Sequence, residues 1–153
     1  MSFTLEISGF RYGDKIPEKF TCDSSDVSPH IAWTDAPAST KEFILVMDDP
    51  DAPHGTFTHW LIYNIPSTVT ELKEGIQQGD KTPEGFYQGK NDFGKFGYNG
   101  PCPPRRKTHR YFFTLYAMVK HSGLEPGSSR ENIVSIAEKN CIKKVTFMLT
   151  YEH

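Results

Sequence analysis

Gly97-Tyr98-Asn99-Gly100-Pro101-Cys102-Pro103-Pro104, followed by His109-Arg110-Tyr111 and an apolar run to Val119, is the stretch whose reading decides the fold. Two glycines and three prolines in eight residues exclude a helix, because proline lacks the N–H and clashes with the preceding turn. The segment reads as a rigid loop that leads straight into a strand, with free backbone N–H groups near its glycines. Working outward, Asp48-Asp49-Pro50-Asp51-Ala52-Pro53 ends the apolar run Phe43–Met47, and His59-Trp60 opens Leu61-Ile62-Tyr63-Asn64-Ile65. The chain thus sets a proline-bearing polar loop against a strand twice, each time with a histidine at a strand start. Phe3–Ile7 and Val145–Tyr151 add two more β-type runs, and the connections are rich in Pro, Gly and Asp. This pattern predicts an all-β sandwich or barrel.

Phe3, Leu5 and Ile7 alternate with Thr4 and Glu6, as one buried face requires. Runs 43–47 and 111–119 are apolar on both faces and are expected to be central strands. Ser128-Ser129-Arg130-Glu131 reads as a capping box with Ser128 at the cap. Ile133, Ile136, Ala137 and Cys141 then recur at helical spacing, so one helix should precede the last strand. A short helix or turn is expected around Val69–Glu74. The polar, glycine-rich region 77–97 is expected to be a long ordered loop. No repeat or linker divides the chain, and residues 1–153 form one expected domain.

Seventeen basic and nineteen acidic residues give a net charge of −2, which argues against a general nucleic-acid binder. No apolar stretch approaches the roughly 20 residues of a membrane span, and the N-terminus does not read as a signal peptide. Cys22, Cys102 and Cys141 are far apart and odd in number. They favour free thiols, a reducing compartment and hence a cytoplasmic location.

Asp49, Asp51, His59, His109 and Tyr111 lie near loop–strand junctions. Such residues can bind phosphate, bind metal or move protons, or they can simply cap turns and strand ends. Zinc sites usually show close ligand pairs, which His59, Cys102 and His109 lack, so no metal is expected. No G-x-S-x-G elbow is present, and Cys102 between two prolines reads as a packed loop residue rather than a nucleophile. Arg105, Arg106, Lys107 and Arg110 would give the loop a basic rim attractive to anions.

Further matching segments run through the chain: Phe20-Thr21-Cys22-Asp23, Val27-Ser28-Pro29, Trp33, Asn91-Asp92-Phe93-Gly94 and Thr150-Tyr151-Glu152. With the loops above, in this order and spacing, the chain resembles the phosphatidylethanolamine-binding protein (PEBP) family in its short bacterial and archaeal form. The resemblance implies a Greek-key β-sandwich with a small anion pocket at one end. Carried over residue by residue, that pocket comprises Asp49, Asp51, Pro53, His59, Gly97, Tyr98, Gly100, Pro101, His109 and Tyr111. It implies a phosphate, phosphorylated-headgroup or similar oxyanion ligand; because the residues supply neither an activated nucleophile nor a metal site, no cofactor and no catalysis are expected. The alternative it leaves open is a regulator that inhibits a kinase or protease through the same pocket. A homodimer and a cis Ala52–Pro53 bond are also implied. The chain departs from the family in its Arg105-Arg106-Lys107-Thr108 turn and in Cys141. On this reading both histidines donate to the anion, backbone N–H groups of 97–100 complete the cradle, and binding weakens as the imidazoles lose protons.

Overall fold

The structure is a computed structural model that describes residues 2–153. Eight strands form two sheets: β1 (Thr4–Ile7), β2 (Ile31–Thr34), β3 (Glu42–Asp49), β4 (Phe57–Pro66), β5 (Glu71–Leu72), β6 (Tyr87–Gln88), β7 (Thr108–Met118) and β8 (Cys141–Glu152). One helix, α1 (Arg130–Asn140), precedes β8. The small sheet has the order β1-β2-β5 and the large one β6-β4-β3-β7-β8. Strand β7 returns to pair with β3 rather than with β4, so β7-β3-β4-β6 lie in Greek-key order.

Alternation explains the layers. Phe43, Leu45 and Met47 face the small sheet, and they pack with Leu5, Ile7, Ile31, Trp33, Phe113 and Leu115 in the main core. Ile44 and Val46 point the other way, into a second cluster with Leu61, Tyr63, Ile133 and Ala137 of α1. β3 and β7 are apolar on both faces because one face meets a sheet and the other a helix. β2 was not marked by an apolar run, since only Ile31 and Trp33 of its four residues are buried.

Three local expectations change. Ser129, not Ser128, caps α1: its Oγ accepts from the Asn132 N–H at 3.2 Å, while the Ser128 hydroxyl donates to the Glu125 carbonyl at 2.6 Å. Residues 69–74 hold β5 rather than a short helix or turn, because Glu71 and Leu72 find partners in β2. The Ala52–Pro53 bond is trans, as all described peptide bonds are; the reversal comes instead from Gly55 at φ +105°, whose N–H returns to the Ala52 carbonyl.

The cysteines also depart from expectation. Cys22 and Cys102 form a disulfide across a separation of 80 residues, and only Cys141 is free. Their distance in sequence hid a contact made when the 101–104 loop folds onto the segment after Phe20, where the Cys22 N–H donates to the Pro101 carbonyl at 3.1 Å. Closing so long a loop restricts the unfolded chain by about 4 kcal/mol on the chain-entropy account. The argument from free thiols to a reducing compartment, and so to the cytoplasm, therefore loses its footing. Among the described residues, no helix is long and apolar enough to cross a membrane.

Region 77–97 is held by buried amides. Gln88 accepts from the Trp60 indole at 2.8 Å and donates to the carbonyls of Gln77 and Gly79. Asn91 donates to the Gly97 carbonyl and to Asn99 Oδ1, and its own oxygen accepts from the N–H groups of Phe93 and Lys95.

Candidate functional site

The same alternation that builds the core places the site. Asp49, the last residue of β3, continues the Phe43/Leu45/Met47 face. His109 and Tyr111 precede Phe113 and Leu115 on the matching face of β7, which runs antiparallel to β3. These three residues therefore meet at one end of the main core. His59 arrives by a different device. Met47 pairs with Trp60 and Asp48 with Thr58, so His59 is the extra residue of a bulge in β4. Bulges re-aim side chains in this way.

A cavity of about 170 Å³ results, lined by Asp49, His59, His109 and Tyr111 together with Ala52, Pro53, Phe57, Phe93, Cys102, Pro103 and Pro104. That is smaller than the roughly 300–1,000 Å³ of a drug-sized pocket, so it suits a small group rather than a whole lipid. His109 Nδ1 donates to Asp49 Oδ2 at 2.6 Å, both side chains being buried. Asp49 Oδ1 accepts the Asp51 N–H at 2.8 Å. The carboxylate thus holds one ring and one turn, and it fixes which ring nitrogen of His109 carries the proton.

His59 Nδ1 donates to the Asn99 carbonyl at 2.7 Å. Burial pushes the His59 imidazole below its ordinary pKa of 6.5, against the opposing pull of the Asn99 carbonyl and Asp49. At neutral pH the ring is therefore neutral, and its Nε2 offers a lone pair. This corrects the expectation that both histidines act as charged donors. The Tyr111 hydroxyl is buried and has no hydrogen-bond partner among the described residues. Burial, with Asp49 and Asp51 nearby, drives its pKa far up, so it stays an O–H donor. Its ring meets His59 edge-on at 5.3 Å and stacks on His109 at 6.4 Å.

The depressed His59 pKa links stability to pH. Between its folded value and 6.5 the unfolded chain binds more protons, so stability rises with pH through that window. His59's contribution is complete above 6.5 and is lost as pH falls through the folded value. Urea melts from pH 7 to 5 should show this loss, and His59→Gln should remove that part of the slope. An unchanged slope in the variant would refute the assignment.

Other expected site residues lie elsewhere. Asp51 binds Arg110 through both carboxylate oxygens and accepts its backbone N–H at 2.9 Å, and this partner lowers its pKa to about 2. It clamps the 49–53 loop to β7 and is not part of the cavity lining. Gly97, Tyr98, Gly100 and Pro101 are not part of the cavity lining either. The Tyr98 hydroxyl donates to the Phe20 carbonyl at 2.6 Å, and the Gly100 N–H donates to Asp26 at 2.7 Å. The Asn99 N–H is bonded to the His59 carbonyl at 3.2 Å. The N–H groups of Asn99 and Gly100 are thus engaged within the protein, so the expected backbone cradle is not formed by them.

The basic rim divides as well. Arg110 is taken by Asp51, while Arg105 and Arg106 line a separate cavity of about 370 Å³ with Asp23 and His153. Sequence reasoning missed Phe57 and Phe93, whose rings pack edge-on at 4.8 Å beside His59. It also missed Asn99 as the group that orients His59. Phe93 is 43% exposed, and Asp92 anchors it by accepting the Thr58 N–H at 2.7 Å. Phe93, between Asp92 and Gly94 in an irregular loop, left no periodic signal.

Comparison with known proteins places the chain. The family model described as phosphatidylethanolamine-binding protein matches residues 6–152, and the chain belongs to that family. A UPF0098 protein of Aquifex aeolicus is 55% identical over 128 residues, covering 81% of this chain and 73% of the relative. One from Methanothermobacter thermautotrophicus is 40% identical, covering 96% and 97%. Among solved structures, Escherichia coli YbcL, described as a member of the mammalian PEBP family, superposes with a TM-score of 0.91 at 31% identity, covering 99% of this chain and 98% of that one. A PEBP homolog from Chlamydia trachomatis, CT736, gives 0.87 at 32% identity over the same shares of the two chains.

Proposed function

We propose that the Asp49/His59/His109/Tyr111 cavity binds a small oxyanion, with a phosphate or phosphomonoester group as its ligand class. The observation that carries this reading is the unpartnered Tyr111 hydroxyl, buried against two imidazoles whose Nδ1 atoms are both engaged. Leaving such a group unsatisfied costs about 1–3 kcal/mol, and an oxyanion removes the cost. His109 Nε2, when protonated, donates alongside it. Neutral His59 accepts, which favours a phosphoryl group that keeps one P–OH. The apolar mouth formed by Pro53, Phe57, Phe93, Pro103 and Pro104 suits the carbon portion of an ester. The role is binding rather than turnover, a reading supported by the disulfide that engages Cys102, the cavity's one thiol.

Tyr111→Phe is the test. It removes only the oxygen, so the unliganded protein should gain about 1 kcal/mol of stability in urea melts. Calorimetric affinity for inorganic phosphate or phosphoethanolamine should fall about tenfold. Unchanged affinity together with lower stability would reject the oxyanion assignment and make the hydroxyl a structural group.

A further inference from the structure

We propose that the reduced protein holds one soft divalent cation, Zn²⁺ by its chemistry, between Cys22, Cys102, His153 and Asp23. The disulfide and the metal site are then two mutually exclusive states of one cluster. The ligand atoms of Cys22, Cys102 and His153 all lie within 4.8 Å of one another. His153 Nε2 is 3.5 Å from Cys22 Sγ and 3.2 Å from Asp23 Oδ1. A tetrahedral zinc with Zn–S of about 2.3 Å and Zn–N or Zn–O of about 2.0–2.1 Å requires S···N edges of about 3.5 Å and N···O edges of about 3.3 Å. Two edges of that tetrahedron are therefore already set. The sulfur–sulfur edge must open to about 3.7 Å, which breaking the bond permits, and the Asp23 carboxylate must swing towards the two sulfurs.

The surroundings fit such a site. The Tyr151 hydroxyl donates to Asp23 Oδ2, which leaves Oδ1 towards His153 and orients the carboxylate as outer partners of metal ligands do. Two thiolates, one carboxylate, a neutral imidazole and a dication carry one net negative charge. Arg105 and Arg106 line the same cavity as Asp23 and His153 and offset it. Thiolate and imidazole donors select zinc over the hard cations. In the interconversion, a dithiol reductant delivers two electrons and two protons to the disulfide and becomes oxidised. Zn²⁺ then displaces the two thiol protons.

The experiment uses the full chain, reduced with a dithiol, desalted anaerobically and titrated with Co²⁺ as a coloured stand-in for zinc. The expected result is one equivalent bound, with thiolate-to-cobalt charge-transfer absorption and tetrahedral d–d bands that Zn²⁺ abolishes. The oxidised protein should show none of these bands. Cys141→Ser should behave as wild type. His153→Ala should bind about tenfold or more weakly, and Cys22→Ser should lose about half of the charge-transfer intensity. Reduction should lower the melting temperature, and Zn²⁺ should restore it. A reduced chain without thiolate–cobalt absorption, or a His153→Ala variant that binds as tightly as wild type, would overturn the proposal. Should reduction unfold the chain, refolding on Zn²⁺ addition supports the site, and failure to refold overturns it.

Discussion

Gly100→Ala is expected to lower stability by about 3 kcal/mol or more, or to prevent folding. A Cβ at this position would stand 1.8 Å from the Phe20 carbonyl oxygen and 2.9 Å from both its carbon and Asp26 Oδ1. Neither backbone can retreat easily. The Phe20 carbonyl already accepts from the buried Tyr98 hydroxyl, and Gly100 donates its N–H to Asp26. The neighbouring Cys22–Cys102 disulfide and the hydrogen bond from the Cys22 N–H to the Pro101 carbonyl tie the same two segments together. The new methyl must therefore break at least one of these links. Urea denaturation should show a lower midpoint with an unchanged slope. A variant as stable as wild type would mean that the loop yields at little cost, and would refute close packing at this position. Glycine's role at this position is close approach, since its φ is ordinary.

His109→Ala is expected to weaken inorganic phosphate binding about 100-fold. The substitution removes the imidazole that Asp49 holds through Nδ1, and with it a cavity-lining ring nitrogen. It also leaves Asp49 buried, with the Asp51 N–H as its remaining donor. The anion would then face an unpaired carboxylate across the cavity. Removing one partner of a buried pair typically destabilises by about 3–5 kcal/mol, so the variant must be shown to be folded by near-ultraviolet circular dichroism before titration. Asp49→Asn supplies a second reading. It keeps a hydrogen-bond acceptor near Nδ1 but removes the carboxylate charge. Phosphate affinity should fall in both variants. Unchanged affinity in a folded His109→Ala protein would place the phosphate elsewhere and end the oxyanion reading of this cavity.

Both predictions depend on elements that were unequally legible in the chain. The long strands could be read because hydrophobic alternation depends only on the period of the β-pleat. Asp49, His109 and Tyr111 could be grouped for the same reason: they extend the buried face of β3 and β7 at neighbouring ends. The cap of α1 was displaced by one residue because two adjacent serines offer equivalent hydroxyls, and only the Glu125 carbonyl decides which one is drawn away. The two-residue strands β5 and β6 carry too few side chains to show a period. Asp51 looked like a ligand because its loop does, yet Arg110 two strand positions past Thr108 holds it outside the cavity.

The sequence by itself determined the sandwich, its central strands, the helix before the last strand and all four polar groups that converge on the cavity. Local pattern, loop chemistry and resemblance to the family suffice for these, because each is written in neighbouring residues. Tertiary structure alone decided that Cys22 meets Cys102 and His153, and that His59 sits in a bulge and is kept neutral by burial. It also decided that the Gly100 N–H turns to Asp26 rather than to a ligand. These outcomes depend on which atoms meet after distant segments pack, and on how much water that packing removes, neither of which has a signature in residue spacing.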